Sequence, residues 1–477
     1  MIRDKQRINI LIIVQTSHII HTHTHTHTYI YNINMSWLWI CGTNRKEEDG
    51  NVNGDDSGGF TTRKRTTKEF EAEQNTNWEY ITTTGFSVEN IQLSVRRTGG
   101  FPMPYRSQIW QRVVDEALDG VRNNNNNNNK TWDEETFVNL FNIVTKDVNS
   151  DNLCLLNIFK TYIELDEKEG STVASKFIEK EEEKGIHKPV VFTAIVQIKN
   201  DLTRTQGGSQ INNHKLISVL LTFVLYDGST SYVQGMDAIC LILTTHLNER
   251  YAFWAFVCIC NMCLKDYFTE GMLGSNVELM VFAEILKEKN LRVWKHFAWI
   301  GQGLQLVPQV KELTDISCVD LARTVLMTFT LEWFLKVFAG CVPNDPCLHI
   351  YDNFFSYMCS GVDARKLSHA ICLAIFKMLE KDLISLTTDD GTGDALDPSE
   401  IMTTTKHKLK VFLGDPSDKI VGKLTSPEVS YEFMEYVFTY LDQFGDDTLD
   451  KMDTLRQKYM KQESEILNKR RESRRKR

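Results

Sequence analysis

Apolar residues recur at helical spacing through most of residues 190–385, and this periodicity limits the fold more than any other feature. Stripes with a period of about 3.6 residues lie in residues 216–224, 253–259 and 331–338. Strand-like alternation is rare here, and the 477-residue chain has only 9 prolines. No repeat of roughly 30–45 residues is evident, which disfavours a helical solenoid. The pattern predicts an all-α domain rather than a mixed α/β fold.

Composition places the chain among globular proteins, with 42% hydrophobic and 25% charged residues. A net charge of -9 argues against a general nucleic-acid binder, because such proteins are usually basic. The apolar run at residues 251–264 is shorter than the roughly 20 residues that cross a bilayer, and it predicts a buried helix. Residues 8–14 are apolar and follow basic residues, but no small-residue cleavage site follows them, as a signal peptide would require.

The eleven cysteines form no regular framework, and most lie in apolar segments. An odd number of thiols in apolar helices indicates a reducing compartment and a role as small core residues. Cys258, Cys260 and Cys263 could be read as a metal cluster, but the second ligand pair of a structural zinc site is missing. We therefore expect these three residues to belong to the core, in a cytoplasmic protein.

The chain divides into three predicted regions. Residues 1–90 are of low complexity and predict disorder, and residues 95–388 carry the helical periodicity. After a polar break at residues 389–394, residues 395–477 predict a helical extension. Its last part, from Leu449, is a charged helix that grades into a basic tail.

The first region holds a His-Thr repeat at residues 21–28. Imidazoles at alternate positions could share a metal ion, or the repeat could be repetitive coding sequence upstream of a real initiator at Met35. The second interpretation is favoured. Residues 42–78 are rich in Gly, Asn, Asp, Thr and Lys and predict disorder.

Two segments of the helical region look like insertions. Residues 123–129 are seven consecutive asparagines, which predict a surface loop that the domain tolerates at modest entropic cost. Residues 166–188 are rich in Glu and Lys and predict an exposed helix with pairs four residues apart.

A first polar motif is formed by Ile198, Asp201 and Arg204. On a helix, Ile198 would anchor the segment in the core, and Asp201 would lie within reach of Arg204 and orient its guanidinium. Alone, such a pair is an ordinary helix-end salt bridge of little energetic value.

The second motif is Tyr232-Val233-Gln234-Gly235-Met236. Gln234 stands between a loop and an apolar helix, where its side chain can project outward. The alternative role for Gln234 is a helix cap or a hydrogen bond within the loop.

In order and spacing the two motifs resemble the paired signature of the TBC domain family, the Rab GTPase-activating proteins. Other segments agree with the family in the same order: residues 106–110, 252–256, 266–274, 332–338 and 350–355. The likeness covers roughly residues 95–385.

The resemblance implies a multi-helix, all-α fold that accelerates GTP hydrolysis on a bound Rab protein in its GTP form and so regulates vesicle trafficking. Arg204 would be the arginine finger, which neutralises charge on the transferring phosphoryl group. Gln234 would be the glutamine finger, which positions the attacking water. Asp201 would hold Arg204, and Tyr232 would fix the glutamine loop.

Ile198 and Gly235 complete the site residues that the resemblance implies. GTP and Mg²⁺ would belong to the Rab partner, so the chain would need no cofactor or metal of its own. This fits the absence of a G-x-x-x-x-G-K-[ST] loop from the sequence. The chain would be a GTPase activator without a nucleotide site.

Some positions depart from the family pattern. Gln206-Gly207-Gly208 replaces a usual Phe-Pro and predicts a more flexible loop after the arginine. Asp237 stands where Asn is usual and would put a charge near the phosphate site, and Tyr351 replaces a usual Trp. None of these changes removes a finger residue.

Two alternatives stay open. A catalytically inactive TBC fold could dock GTPases or scaffold trafficking proteins, although Arg204 and Gln234 favour activity. The basic tail at residues 469–477 could contact anionic endomembranes, or it could be a nuclear-localisation-like or solubilising terminus. A membrane or partner contact is favoured, because Rab substrates are tethered to membranes.

Overall fold

A computed structural model of the chain describes residues 91–92, 94–96, 100–124, 133–147, 149, 152–204, 210–228, 232–268, 272–304, 316–358, 364–386, 397–414 and 420–475. Within these ranges the regular elements are helices, apart from one isolated bridge between Asn149 and Asn152. The prediction of an all-α fold is confirmed.

In chain order, the described helices fall into a first group that carries the two polar motifs, a second group that follows it, and an extension. The first group is α1 (Met103–Asn124), α2 (Glu134–Thr145), α3 (Leu155–Glu169), α4 (Ser171–Glu183), α5 (Pro189–Arg204), α6 (His214–Asp227), α7 (Met236–His246) and α8 (Glu249–Met262). The second group is α9 (Leu273–Lys289), α10 (Leu291–Gly303), α11 (Ile316–Leu335), α12 (Asn344–Met358), α13 (Arg365–Met378) and α14 (Glu380–Ile384). The extension is α15 (Pro398–Leu413), a 3-10 turn (Lys423–Thr425), α16 (Pro427–Gln443) and α17 (Asp446–Arg475).

Side-chain caps set the starts of several helices. Asp133, Asn213 and Asn248 accept hydrogen bonds from the first turns of α2, α6 and α8, which satisfies amides that have no partner inside the helix. Gly228 ends α6 with a left-handed φ of 64°. A residue without a Cβ adopts that conformation at little cost.

Helix α6 lies at the centre of the first group and packs against α2, α5, α7 and α8. All residues from 216 to 224 are buried. The helix is therefore covered by neighbouring elements on every side, and not only along the apolar stripe that the sequence predicted. Residues 252–259 of α8 are buried too, which confirms the buried helix predicted at residues 251–264. Cys258 and Cys263 are buried and Cys260 is half-buried, as the core interpretation predicts.

The third stripe, at residues 331–338, is not one continuous helix. Helix α11 ends at Leu335, and both Val337 and Phe338 have positive φ angles, 48° and 62°. The amide of Phe338 donates to the carbonyl of Trp333 at 2.9 Å, which closes the helix end. The apolar spacing continues through the turn because the turn also packs on the core. The sequence pattern alone therefore could not distinguish the turn from the helix.

The charged segment at residues 166–188 forms the end of α3, helix α4 and a short connection. Helix α4 is largely exposed but buries Ala174 and Ile178 against α3. Predictions for residues 1–90, most of the asparagine tract, the Gln206–Gly208 segment and the polar break at 389–394 lie outside the described residues.

The extension folds back onto the second group, with α16 on α13 and α17 on α9. Arg456 of α17 contacts both carboxylate oxygens of the buried Glu278 on α9, at 2.8 and 3.0 Å. His369 Nε2 of α13 lies 2.7 Å from the same carboxylate. Burial alone would raise the pKa of Glu278, but Arg456 and His369 hold it well below its usual range.

None of the described helices combines the length and the apolar character that crossing a membrane requires.

Candidate functional site

The arginine motif occupies the last turns of α5. Ile198 is fully buried, as the anchoring role predicted. Three and six residues later, the helical period brings Asp201 to the edge of the core and Arg204 to the end of the helix. The side chain of Arg204 is 66% exposed, whereas that of Asp201 is 7% exposed.

Asp201 and Arg204 form an ion pair through Oδ1 and Nη2. The pair has the spacing of neighbours on one helix face, so the sequence-based prediction of their contact is confirmed. Since the carboxylate is buried and the guanidinium is exposed, Asp201 can fix the direction of Arg204 while most of the guanidinium stays accessible.

The glutamine loop, residues 232–235, directly precedes the start of α7. Gln234 is exposed, and Gly235 follows it with a left-handed φ of 105°. A Cβ at Gly235 would also lie 3.1 Å from Cγ of Lys336, closer than most real contacts. The left-handed backbone therefore favours glycine here, and a larger residue would also press on the side chain of Lys336.

Asp237 lies under the glutamine loop and is 5% exposed. Its Oδ1 accepts hydrogen bonds from the Tyr232 hydroxyl at 3.0 Å and from the Gly235 amide at 3.1 Å. The departure from Asn was expected to place a charge near the phosphate site. The structure instead turns this carboxylate inward, where it ties the loop to the first turn of α7.

Tyr232 connects the two motifs. Its ring is buried, and its hydroxyl faces the carboxylates of both Asp237 and Asp201. Burial, and then these two carboxylates, raise the pKa of Tyr232 far above its usual value. The phenol therefore keeps its proton, which it donates to Asp237 while the carboxylate of Asp201 lies nearby.

The two motifs meet in one open cleft of about 600 Å³. Its walls are Gln197, Lys199, Asn200, Asp201, Thr203, Arg204, Tyr232, Val233 and Gln234. Arg204 and Gln234, 30 residues apart in sequence, thus line the same space. Ile198 and Gly235 do not line it and act from behind as buried supports.

Sequence reasoning missed several residues of the cleft wall. Gln197, Asn200 and Arg204 are spaced three and four residues apart along α5, which places them on one polar face. This helical spacing is the sequence signal from which the polar face could have been predicted. Lys199, also in the wall, forms an ion pair with Asp166 of α3.

Comparison with known proteins identifies the family. The sequence model of the Rab-GTPase-TBC domain matches residues 103–384, more than half of the chain. The chain belongs to this family. Its TBC domain includes both polar motifs and α1 to α14.

Three curated proteins illustrate the sequence similarity. TBC1 domain family member 2B of Mus musculus is 28% identical over 198 residues, which are 40% of this chain and 18% of that protein. Carabin of Mus musculus is 24% identical over 42% of this chain and 38% of its own length. GTPase-activating protein MSB4 of Saccharomyces cerevisiae is 25% identical over 38% of this chain and 35% of its own length. The chain thus spans less than two fifths of each of these relatives.

Two solved structures align with the chain at low sequence identity. The Ypt/Rab-GAP domain of Gyp1p aligns with 79% of this chain and 99% of its own, at 11% identity and a TM-score of 0.48. The Chlamydomonas flagellar RabGAP TBC domain aligns with 78% of this chain at 14% identity and a TM-score of 0.42.

A second arginine–aspartate pair lies inside the TBC domain, between α1 and α12. Arg106 Nε donates to Asp352 Oδ1 at 2.9 Å, and Trp110 Nε1 donates to the same oxygen at 2.8 Å. The Phe101 amide donates to Oδ2 at 2.6 Å. The segments at 106–110 and 350–355, which sequence reasoning had only matched separately, are therefore joined by one buried carboxylate.

Proposed function

We propose that this TBC domain activates the GTPase of a Rab protein by inserting Arg204 and Gln234 into the partner's nucleotide site. One observation carries the proposal: two exposed side chains of these types line one cleft, and each is held from behind by buried groups. Family membership supports it, as does the resemblance of both motifs to the family signature.

Arg204 supplies charge stabilisation. Negative charge spreads over the oxygens of the transferring phosphoryl group in the transition state, and a planar guanidinium can donate two parallel hydrogen bonds to it. Asp201 holds one side of the guanidinium, so less rotational freedom is lost on binding. Such fingers are worth ~10³–10⁵ in rate.

Gln234 supplies orientation. Its amide can accept from and donate to one water, which places that water in line with the phosphorus atom. The left-handed Gly235 and the hydrogen bonds to Asp237 fix the loop that carries it. GTP and Mg²⁺ come with the Rab partner, and the chain contributes side chains only.

The test is single-turnover GTP hydrolysis by a panel of GTP-loaded Rab proteins, with the full chain in catalytic amount. Arg204→Ala and Gln234→Ala should each abolish most of the stimulation. Arg112→Ala is the matched control, because Arg112 is also exposed and paired with an acidic residue on its own helix, away from the cleft.

The proposal fails if no Rab is stimulated, or if both finger variants stimulate as well as the control. Binding of GTP-loaded Rab without stimulation would instead support an inactive docking module.

The basic tail belongs to the same proposal. Helix α17 continues to Arg475, so most of residues 469–477 extend one helix. We expect them to attract anionic lipid, at about 1 kcal/mol per basic residue near the surface, and so to bring the domain to membranes that carry Rab proteins. Co-sedimentation with phosphatidylserine vesicles should fall when residues 469–477 are removed, and equal binding would exclude this role.

A further inference from the structure

Lys199 joins the end of α5 to α3. Its Nζ lies 2.5 Å from Oδ2 of Asp166, and the two side chains are only 15% and 19% exposed. An ion pair that is largely withdrawn from water is screened less than an exposed one, and removal of either partner leaves a charge without compensation. The contact therefore differs from the pair of Glu164 and Lys168 on α3, whose side chains are 66% and 70% exposed.

Tyr162 of α3 lies close to both charges of this pair. It precedes Asp166 by one helical turn, and its side chain is buried. Burial raises the pKa of Tyr162, while the ammonium group of Lys199 lowers that pKa and the carboxylate of Asp166 raises it. The ion pair thus lies beside a buried aromatic side chain and not in open solvent.

Lys199 lines the cleft, but it is not placed like a second finger. Among the described residues, Lys199 and Arg204 are the cations of the cleft wall. The side chain of Arg204 is 66% exposed, whereas that of Lys199 is 15% exposed and is bound by a residue of another helix. Lys199 would have to leave Asp166 before it could reach a partner's phosphate. The geometry therefore favours a role in holding α5 over a role in contacting the nucleotide.

The position of Lys199 on α5 determines which motion the ion pair can oppose. Ile198 and Leu202 are buried and mark the face of α5 that packs on the core. Successive residues of a helix are rotated by roughly 100°, so Lys199 and Asp201 lie on opposite flanks of that face. Apolar burial is not directional. A short ion pair to α3 on one flank, in contrast, opposes rotation of α5 about its own axis.

A rotation of α5 would be felt most at Arg204. This arginine is the last residue of α5 and lies five residues beyond Lys199, about 7.5 Å along the helix axis. Its guanidinium extends away from the axis, so a small rotation moves it further than it moves the backbone. A displacement of about 1 Å at a catalytic group can lower a rate by roughly a hundredfold.

We propose that the ion pair between Asp166 and Lys199 is a brace that positions Arg204: it holds α5 against α3, so that the guanidinium meets the partner's phosphoryl group in one orientation. Asp166 and Lys199 are positioning residues, and neither contacts the nucleotide. The inference rests on the proposed function and adds to it a residue of α3, a helix outside both motifs.

A double-mutant cycle in the full chain tests the brace. Asp166→Asn removes the charge on α3 and leaves every cleft residue in place, whereas Lys199→Met keeps the methylene groups and removes the ammonium. Each should lower the kcat of stimulated Rab GTP hydrolysis about tenfold, with KM changed less than about twofold, because Arg204 is misplaced but the docking surface is intact. The double variant should lose no more than either single variant, because the two charges act as one unit.

Three further variants complete the experiment. Lys199→Arg can keep the ion pair and should stay within about threefold of the wild-type kcat. Glu164→Gln and Lys168→Met make the same kinds of change in the exposed pair of α3 and should leave kcat unchanged.

Two kinetic outcomes would overturn the brace. Full kcat in Asp166→Asn, together with a lower kcat or a higher KM in Lys199→Met, would assign Lys199 to direct contact with the partner. Losses that multiply in the double variant would show that the two charges act independently.

Hydrogen exchange of the chain alone separates the brace from the proposed function. The amides of residues 200–204 lie at the end of α5 and report how firmly that end is held without any GTPase. Their exchange should rise about threefold or more in Asp166→Asn and in Lys199→Met, and should stay at the wild-type rate in Lys199→Arg. Unchanged exchange in both, or an equal rise throughout α5 and α6, refutes the brace even if stimulation is lost. A rise confined to these residues supports it even if no Rab is stimulated.

Discussion

Two arginine–aspartate pairs that lie within the TBC domain have the same chemistry in opposite surroundings. In the pair between Arg106 and Asp352 the side chains are 3% and 0% exposed. In the pair between Asp201 and Arg204 the carboxylate is almost as well buried, but the guanidinium is 66% exposed. The two pairs differ in which partner faces water.

The difference separates a structural pair from the pair to which we assign a chemical role. Arg106 directs its donors inward, to both oxygens of Asp352 and to the carbonyl of Phe101, and joins three segments of the TBC domain. Arg204 is oriented by one buried carboxylate and offers the rest of its guanidinium to the cleft. Residue type and pairing alone do not distinguish these two arginines, whereas the exposure of the guanidinium does.

Removing the buried carboxylate should have the largest effect. Asp352→Ala leaves the guanidinium of Arg106 and the indole of Trp110 buried without their acceptor, and should lower the free energy of unfolding by about 3–5 kcal/mol. Urea denaturation followed by circular dichroism measures the change. Arg106→Met together with Asp352→Ala should restore part of the loss, and a single-variant loss below about 1 kcal/mol would contradict the structural role.

Changing the exposed arginine should act on rate and spare stability. Arg204→Lys keeps the charge but loses the planar fork, so stimulated GTP hydrolysis should fall roughly a hundredfold, or about 2.7 kcal/mol in activation free energy. Its unfolding free energy should stay within about 0.5 kcal/mol of wild type. If the unfolding free energy fell by as much as the activation free energy rose, Arg204 would have a structural role like that of Arg106.

Acid should destabilise the fold, because it protonates a buried histidine. His296 on α10 is buried, its Nε2 lies 3.3 Å from Oγ1 of Thr405, and burial lowers the pKa of His296 to about 4. A histidine whose pKa is depressed in the folded state contributes stability that is complete above the unfolded value of ~6.5 and is lost as pH falls toward 4.

From His296 alone the loss at pH 5 is about 2 kcal/mol. His296→Gln should flatten the curve of unfolding free energy against pH between about 6.5 and 5. An equally steep curve in the variant would assign the loss to other groups, of which His246 and His349 also have pKa values lowered mainly by burial.

An exposed pair outside the cleft should show almost no effect. Glu164 and Lys168 on α3 lie 3.3 Å apart, with side chains 66% and 70% exposed. Lys168→Ala should change the unfolding free energy by less than about 0.5 kcal/mol. It should also leave GTPase stimulation unchanged. That result would show that an exposed cation contributes to stimulation only where it lies beside the second motif. A fall in stimulation would extend the contact surface to α3.

Local features of the sequence were sufficient to predict the helices and the ion pair between Asp201 and Arg204. Helical periodicity predicted the buried stretches, and the spacing of Ile198, Asp201 and Arg204 predicted an anchor and an ion pair, because three and six residues span successive turns of one helix. The roles of Arg204 and Gln234 as fingers stay predictions, as does the flexibility of Gln206–Gly208.

Contacts between distant segments could not be predicted in the same way. Arg106 and Asp352 are 246 residues apart, and no local period reports which buried carboxylate meets which arginine. The end of α11 at Leu335 was missed because apolar spacing continues through a left-handed turn. The inward direction of Asp237 depends on Tyr232 and Gly235 being folded around it, so its identity alone suggested a charge in the cleft.

The contact of Arg456 with Glu278 has a practical consequence for anyone who cuts this chain into pieces. The family match ends at residue 384, so a fragment trimmed to that boundary keeps Glu278 and His369 but discards α17 and its arginine. The remaining carboxylate would be uncovered on α9 together with apolar surface that Met452 and Tyr459 normally shield. Such a fragment would be expected to aggregate, whereas one that extends through Glu463, which pairs with Arg323, would keep this face closed.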